Sequence, residues 1–143
     1  MSEKALGGIL KSGSSPFMGV LEYAQRPTSQ GLFLMKASSN DCDVVTSLVA
    51  GGAQIICFVS GVGTPTGFPG VPVIKITGNS NTYHKMIDDI DINAGEVMDG
   101  NVSLEQMGDQ IYQMLLSVCS GAQTKAESLG HDELFGIGRY ECY

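Results

Sequence analysis

Residues Gly52–Gly95 read GAQIICFVSGVGTPTGFPGVPVIKITGNSNTYHKMIDDIDINAG. Ile55-Ile-Cys-Phe-Val59 is apolar at successive positions without alternation, the pattern of a parallel strand covered on both faces. Val71-Pro-Val-Ile-Lys-Ile76 is a second such strand, with Pro72 tolerable only near its start. Between them, Gly61 to Gly70 holds four glycines and two prolines, which cannot sustain a ladder, so the segment is a stiff loop. A rigid loop just past a buried strand is how α/β proteins build a site.

The flanking sequence supplies the other layers. Phe17 to Tyr23 is an expected edge strand, and Gly31-Leu-Phe-Leu-Met35 reads as the first fully buried strand. Asp41 or Asp43 is the expected cap of a short helix with Val45, Leu48 and Val49 turned inward, stopped by Gly51-Gly52. Asn79 or Asn81 caps a second helix, along which Tyr83, Met86, Ile87 and Ile90 recur at helical spacing. Ser103-Leu-Glu-Gln106 is a capping box opening the longest helix, with Leu104, Met107, Ile111, Met114, Leu115 and Val118 on one face, ending near Gly121. The tail from Gly130 through Tyr140 adds a last short strand. This order predicts an α/β fold: a three-layer α/β/α sandwich around a mostly parallel, Rossmann-like sheet. Residues 1–16, rich in Gly and Ser, read as an arm or interdomain linker, and residues 17–143 as one domain.

Composition narrows the function. Eight Lys plus Arg against 15 Asp plus Glu give a net charge of -7, and the basic residues are scattered, which disfavours nucleic acid. Four cysteines, Cys42, Cys57, Cys119 and Cys142, lie far apart, in neither a zinc spacing nor a disulfide framework. No secretory core follows Met1 and no apolar run spans a bilayer, so a cytoplasmic location without membrane contact is expected.

The loop Gly61-Val-Gly63-Thr-Pro65-Thr-Gly67 departs from a dinucleotide fingerprint, because prolines stand where the helix should start and no acidic residue ends the next strand. No nucleotide cofactor is expected. A small oxyanion or polyol lying against the loop amides with Thr64 and Thr66 fits better; packing against another domain is the plainer alternative. Asp88, Asp89 and Asp91 form a dense acidic cluster, read either as a solvated helix face or as groups for a hard cation or acid–base work. Asp91, with Asn93 in the Asn93-Ala-Gly95 turn, is the first choice for contacting hydroxyls. Lys75, inside an apolar strand, must snorkel, pair or reach a ligand pocket. His131 is a candidate for a polar contact and His84 reads as a surface residue, while Ser60 and Thr77 lack a histidine partner for a triad.

Collinear motifs then carry a resemblance: Glu3-Lys-Ala-Leu-Gly7 with Lys11-Ser-Gly13, Gly31 to Met35, Gly51-Gly-Ala53, Ile56-Cys-Phe58, Gly61-x-Gly63-Thr64, Pro72-x-Ile74-Lys75-Ile76, and Asp88-Asp89-x-Asp91-Ile92-Asn93-Ala94-Gly95. Over nearly its whole length the chain resembles the C-terminal domain of the altronate dehydratase and galactarate dehydratase family, which also includes a sulfolactate sulfo-lyase. The resemblance implies a divalent-metal-dependent lyase, usually iron-stimulated, that removes water from a sugar acid. It also implies that the catalytic part lies outside this chain, in a partner domain or subunit. Self-association is left open. Gly61, Gly63, Thr64, Thr66, Lys75, Asp91, Asn93 and His131 are then candidates for contacting the acidic sugar substrate or the partner, with catalytic residues and metal ligands unassigned and no cofactor expected on this domain. A stand-alone binding module and an oligomerisation domain are the alternatives. Two positions depart from the family pattern: Lys36 where an Asp is usual, and Val62 where the loop commonly has Arg, the natural bidentate partner of a carboxylate.

Overall fold

The structure is a computed structural model that describes residues 12–132. Its elements in chain order are β1 Phe17–Leu21, β2 Leu32–Met35, α1 Asp41–Ala50, β3 Ile56–Val59, β4 Val73–Thr77, α2 Ser80–Lys85, β5 Ile92–Asn93, α3 Gly95–Met98, α4 Leu104–Cys119 and α5 Lys125–Leu129. The strand expected in the tail lies, beyond Asp132, outside the described residues.

β4 is the centre. It pairs in parallel with β3, Ile56 facing Val73 and Val59 facing Ile76, and with β5 through Ile76 with Ile92 and Thr77 with Asn93. All five of its residues are buried, Lys75 and Thr77 included, as a parallel strand covered on both faces requires. Ile74 and Ile76 point to one side, into a cluster with Ile92, Met107 and Val118 of α4. Val73 points to the other, joining Ile56 and Val45 of α1 with Phe58 and Phe68 packed around them. Helix, sheet and helix therefore stack as the expected three layers, and every strand pair is parallel. Pro72 sits just before β4, where its missing N–H costs nothing and its carbonyl accepts from the Ile56 N–H at 3.0 Å.

The strands flanking this centre are less covered than expected. β3 is an edge strand: Ile56 is 4% exposed, but Cys57 is exposed and Val59 is 70% exposed. β2 is not fully buried either. Among the described residues it pairs only with β1, as a separate two-stranded parallel ribbon whose Leu32 and Leu34 are 39% and 48% exposed. Apolar runs demand cover on both faces, and the described residues supply one.

Helix ends follow local chemistry. Asn40, not Asp41 or Asp43, caps α1: its backbone is extended and its side chain accepts the Cys42 N–H at 3.0 Å. The aspartates fall in the first turn, where the helix dipole favours them. Asn79 caps α2 as expected, yet that helix stops at Lys85, because Met86 leaves helical geometry at φ -122 and ψ 40. The helical stripe therefore breaks: Ile90 is 1% exposed while Ile87 is 50% exposed. The Ser103–Gln106 capping box forms with both bonds, 3.1 and 2.8 Å, although Leu104 at its start is 78% exposed and outside the packed stripe.

Replacing Ile74 by Ala, in a side chain that is 0% exposed, is expected to lower unfolding free energy by about 2–5 kcal/mol in urea titration. Val59→Ala, on the open face of β3, should cost about 0.5 kcal/mol or less. A larger cost at Val59 would contradict this layering.

Candidate functional site

The loop after β3 and the segment before β5 meet on the Lys75 face of β4. Lys75 is the largest of the fully buried side chains, 1% exposed, and its Nζ donates to the Pro65 carbonyl at 3.1 Å. His131 Nδ1 lies 2.7 Å from the same carbonyl. A carbonyl only accepts, so Nδ1 carries the proton in this contact. The same nitrogen is 3.9 Å from Asp89 Oδ1, which joins the loop to the acidic cluster.

The threonines lie inside the loop. Thr64 is 4% and Thr66 7% exposed; the Thr64 hydroxyl donates to Thr66 Oγ1 at 2.8 Å and accepts the Thr66 N–H at 3.3 Å. Cys42 Sγ approaches Thr66 Oγ1 at 4.0 Å from the start of α1. At the other end, the Gly61 carbonyl accepts from the Thr82 hydroxyl at 3.0 Å. Two glycines are needed by geometry. Gly63 has φ +80, and a Cβ there would strike Met86 and Thr82; a Cβ on Gly67 would overlap the His131 backbone. The tip projects furthest into solvent: Gly61 is exposed and Val62 is 85% exposed.

Asp91 is engaged at both oxygens. Oδ2 accepts the Lys75 N–H at 2.7 Å and Oδ1 accepts the Lys125 N–H at 2.9 Å, while the Asp91 N–H returns to the Lys75 carbonyl at 2.9 Å. Asp88 and Asp89 lie in the turn after α2 rather than on a helix face, because the helix ends early. Asn93 sits further along. Its Oδ1 accepts the Gly95 N–H at 3.1 Å, its Nδ2 donates to Ser80 Oγ at 3.1 Å, and Ser80 in turn bonds Asp99. Gly61, Gly63, Thr64, Thr66, Lys75, His131 and Asp91 are thus connected through the loop and β4, whereas Asn93 belongs to a network at the start of α2 and α3.

Lys125 was not singled out from the sequence. Beyond its N–H on Asp91, its Nζ donates to the Ile90 carbonyl at 2.7 Å and to Ile87 O, and stands 5.4 Å from the Tyr83 ring centroid. A signal existed: Thr124-Lys-Ala-Glu127 is a capping box, formed here with both bonds, and it places Lys125 at the first residue of α5. Ser80 and Asp99 carry no such signal.

Among the described residues, no three or more His, Cys, Asp or Glu side chains gather into a set that can hold a metal ion. The described residues therefore offer no donor set that fits the iron the family resemblance implies. Although the Cys57 residue is exposed overall, partial desolvation pushes its thiol up, with nearby Cys119 adding to the shift, so this thiolate is disfavoured at neutral pH. No helix among the described residues is long and apolar enough to cross a membrane.

Comparison with known proteins is extensive. The family model described as D-galactarate/Altronate dehydratase, C-terminal, matches residues 1–141. The (2R)-sulfolactate sulfo-lyase subunit beta of Chromohalobacter salexigens is 39% identical over 142 residues, 99% of this chain and 36% of that protein. Galactarate dehydratase (L-threo-forming) of Escherichia coli K12 is 40% identical over 119 residues, 83% of this chain and 23% of that protein. Altronate dehydratase of Bacillus subtilis 168 is 34% identical over 134 residues, 94% of this chain and 27% of that protein. The chain spans roughly a quarter to a third of the length of the curated relatives it matches.

Removing the Asp91 carboxylate strands two backbone N–H donors. Asp91→Ala should lower stability by about 2–4 kcal/mol in urea titration, while Asp88→Ala, at an exposed turn position, should change it by about 0.5 kcal/mol or less. Equal effects would show that the two bonds to Asp91 contribute nothing.

Proposed function

Because this chain belongs to the D-galactarate/altronate dehydratase C-terminal family, we propose that it works as the carboxyl-terminal part of a lyase acting on a hydroxy acid, and is inactive alone. Galactarate, altronate and sulfolactate, the acids in the relatives' names, all carry a hydroxyl near a carboxylate. Eliminating water or sulfite from such an acid requires a base for the proton next to the carboxylate, assistance to the leaving group, and stabilisation of the enediolate.

The observation that supports this reading is how the polar candidates are used. Lys75 and His131 converge on one loop carbonyl, Thr64 and Thr66 bond each other, and Asp91 accepts two backbone N–H groups. These groups build a platform; what they present is the exposed tip Gly61-Val62, followed by half-buried Gly63, at the carboxyl ends of β3 and β4. That is the end of a parallel sheet where ligands bind. In this reading the tip amides line the substrate's edge or the partner's surface. The base, and any metal, belong to the polypeptide that accompanies this domain in its relatives. Val62, in place of the family's common arginine, removes a charged contact there and leaves the backbone as the recognition element.

A hybrid tests it, with this chain replacing the matched carboxyl-terminal segment of E. coli galactarate dehydratase. The isolated chain should show no turnover of galactarate, altronate or (2R)-sulfolactate, and the hybrid should turn over at least one. Turnover by the isolated chain, or none by the hybrid, contradicts the proposal.

A further inference from the structure

The β1–β2 ribbon presents an apolar outer face. Parallel register sets Val20 beside Leu34 and Phe17 beside Leu32, with a bulge between Phe17 and Gly19. These four side chains are 62%, 48%, 40% and 39% exposed. The inner face is different: Leu21, 8% exposed, lines a cavity with Phe33, Met35 and Leu48 of α1. A lone two-stranded ribbon is marginal in water, and parallel strands are almost always covered on both faces. Apolar side chains contiguous across two strands mark a surface meant for a partner.

We infer that this outer face is where the rest of the dehydratase packs. The inference rests on the proposed function and names the surface it uses. Two observations favour that occupant. First, the chain accounts for only 36%, 23% and 27% of the three relatives, so each carries a much larger body of polypeptide beside this domain. Second, the matched family is the C-terminal one and its match begins at residue 1, so in those relatives the larger body joins this domain on the amino-terminal side of β1, ahead of residues 1–16. Covalent attachment on that side of the chain raises the local concentration of the larger body near the first strands of the domain. The loop tip, by contrast, is attached at β3 and β4 and exposes a single apolar side chain, Val62.

Hydrogen exchange read by mass spectrometry, on this chain alone and on the E. coli hybrid, tests the surface. Peptides covering 17–35 are expected to exchange at least about tenfold more slowly in the hybrid, and V20K with L34K should restore fast exchange there. Because Val20 is 62% and Leu34 48% exposed, the same pair should leave the melting temperature of the isolated chain within about 2 °C. Unchanged exchange over 17–35 with slowed exchange over 61–70 would place the larger body elsewhere, overturning this inference and sparing the proposed function. No slowing in either region would overturn both. Slow exchange over 17–35 in the isolated chain overturns the inference too: loss on dilution would assign the face to a second copy, and loss on deleting residues 1–11 to the chain's own amino-terminal segment.

Discussion

The short reach of β5 constrains the molecule more than any other feature. β4 is flanked on that side by only two paired residues, Ile92 and Asn93, so the Lys75 N–H lies one step beyond the regular ladder. Asp91 completes it with its side chain. One oxygen takes the Lys75 N–H, the other takes the first N–H of α5, and the Asp91 N–H closes back on the Lys75 carbonyl. A carboxylate that satisfies donors from two elements fixes both, since either N–H left bare in the interior would cost about 1–3 kcal/mol. Lys75 then transmits that fixed position outward: backbone held from one side, its ammonium meets Pro65 on the other and sets the height of the loop.

Much of this was legible in the sequence, for physical reasons that can be named. β4 could be read because burial on both faces keeps Val73, Ile74 and Ile76 apolar at nearly successive positions, and Lys75 stood out because an ammonium in such a strand must have a purpose. The Ser103 capping box could be read because its donors and acceptors lie three residues apart. Asp91 could be flagged but not understood: its partners are 16 and 34 residues away, and no local pattern encodes that. The early end of α2 was hidden for a similar reason. Tyr83, Met86, Ile87 and Ile90 keep helical spacing, yet the chain must turn at Met86 to bring Asp91 back to β4.

The misreadings of β2 and β3 carry a different lesson. Their apolar runs specify two covered faces, but Leu34 and Val59 stand exposed at 48% and 70%. A sequence records the environment in which it works, including surfaces contributed by other polypeptide. Open apolar strands in a chain that spans roughly a quarter to a third of the relatives it matches accord with the proposed packing against a larger body. The polar candidates other than Asn93 are spent on holding the loop and its attachment to β4, which leaves the tip and the open strand faces as the exposed features.

The central claim, that Lys75 serves to hold the loop, is tested most directly by amide exchange of residues 61–70 in Lys75→Met. This change keeps the apolar stem and removes the donor to Pro65. Loop amides should exchange at least about tenfold faster than in the parent chain, with α4 amides unchanged. Loop exchange equal to that of the parent would contradict the account.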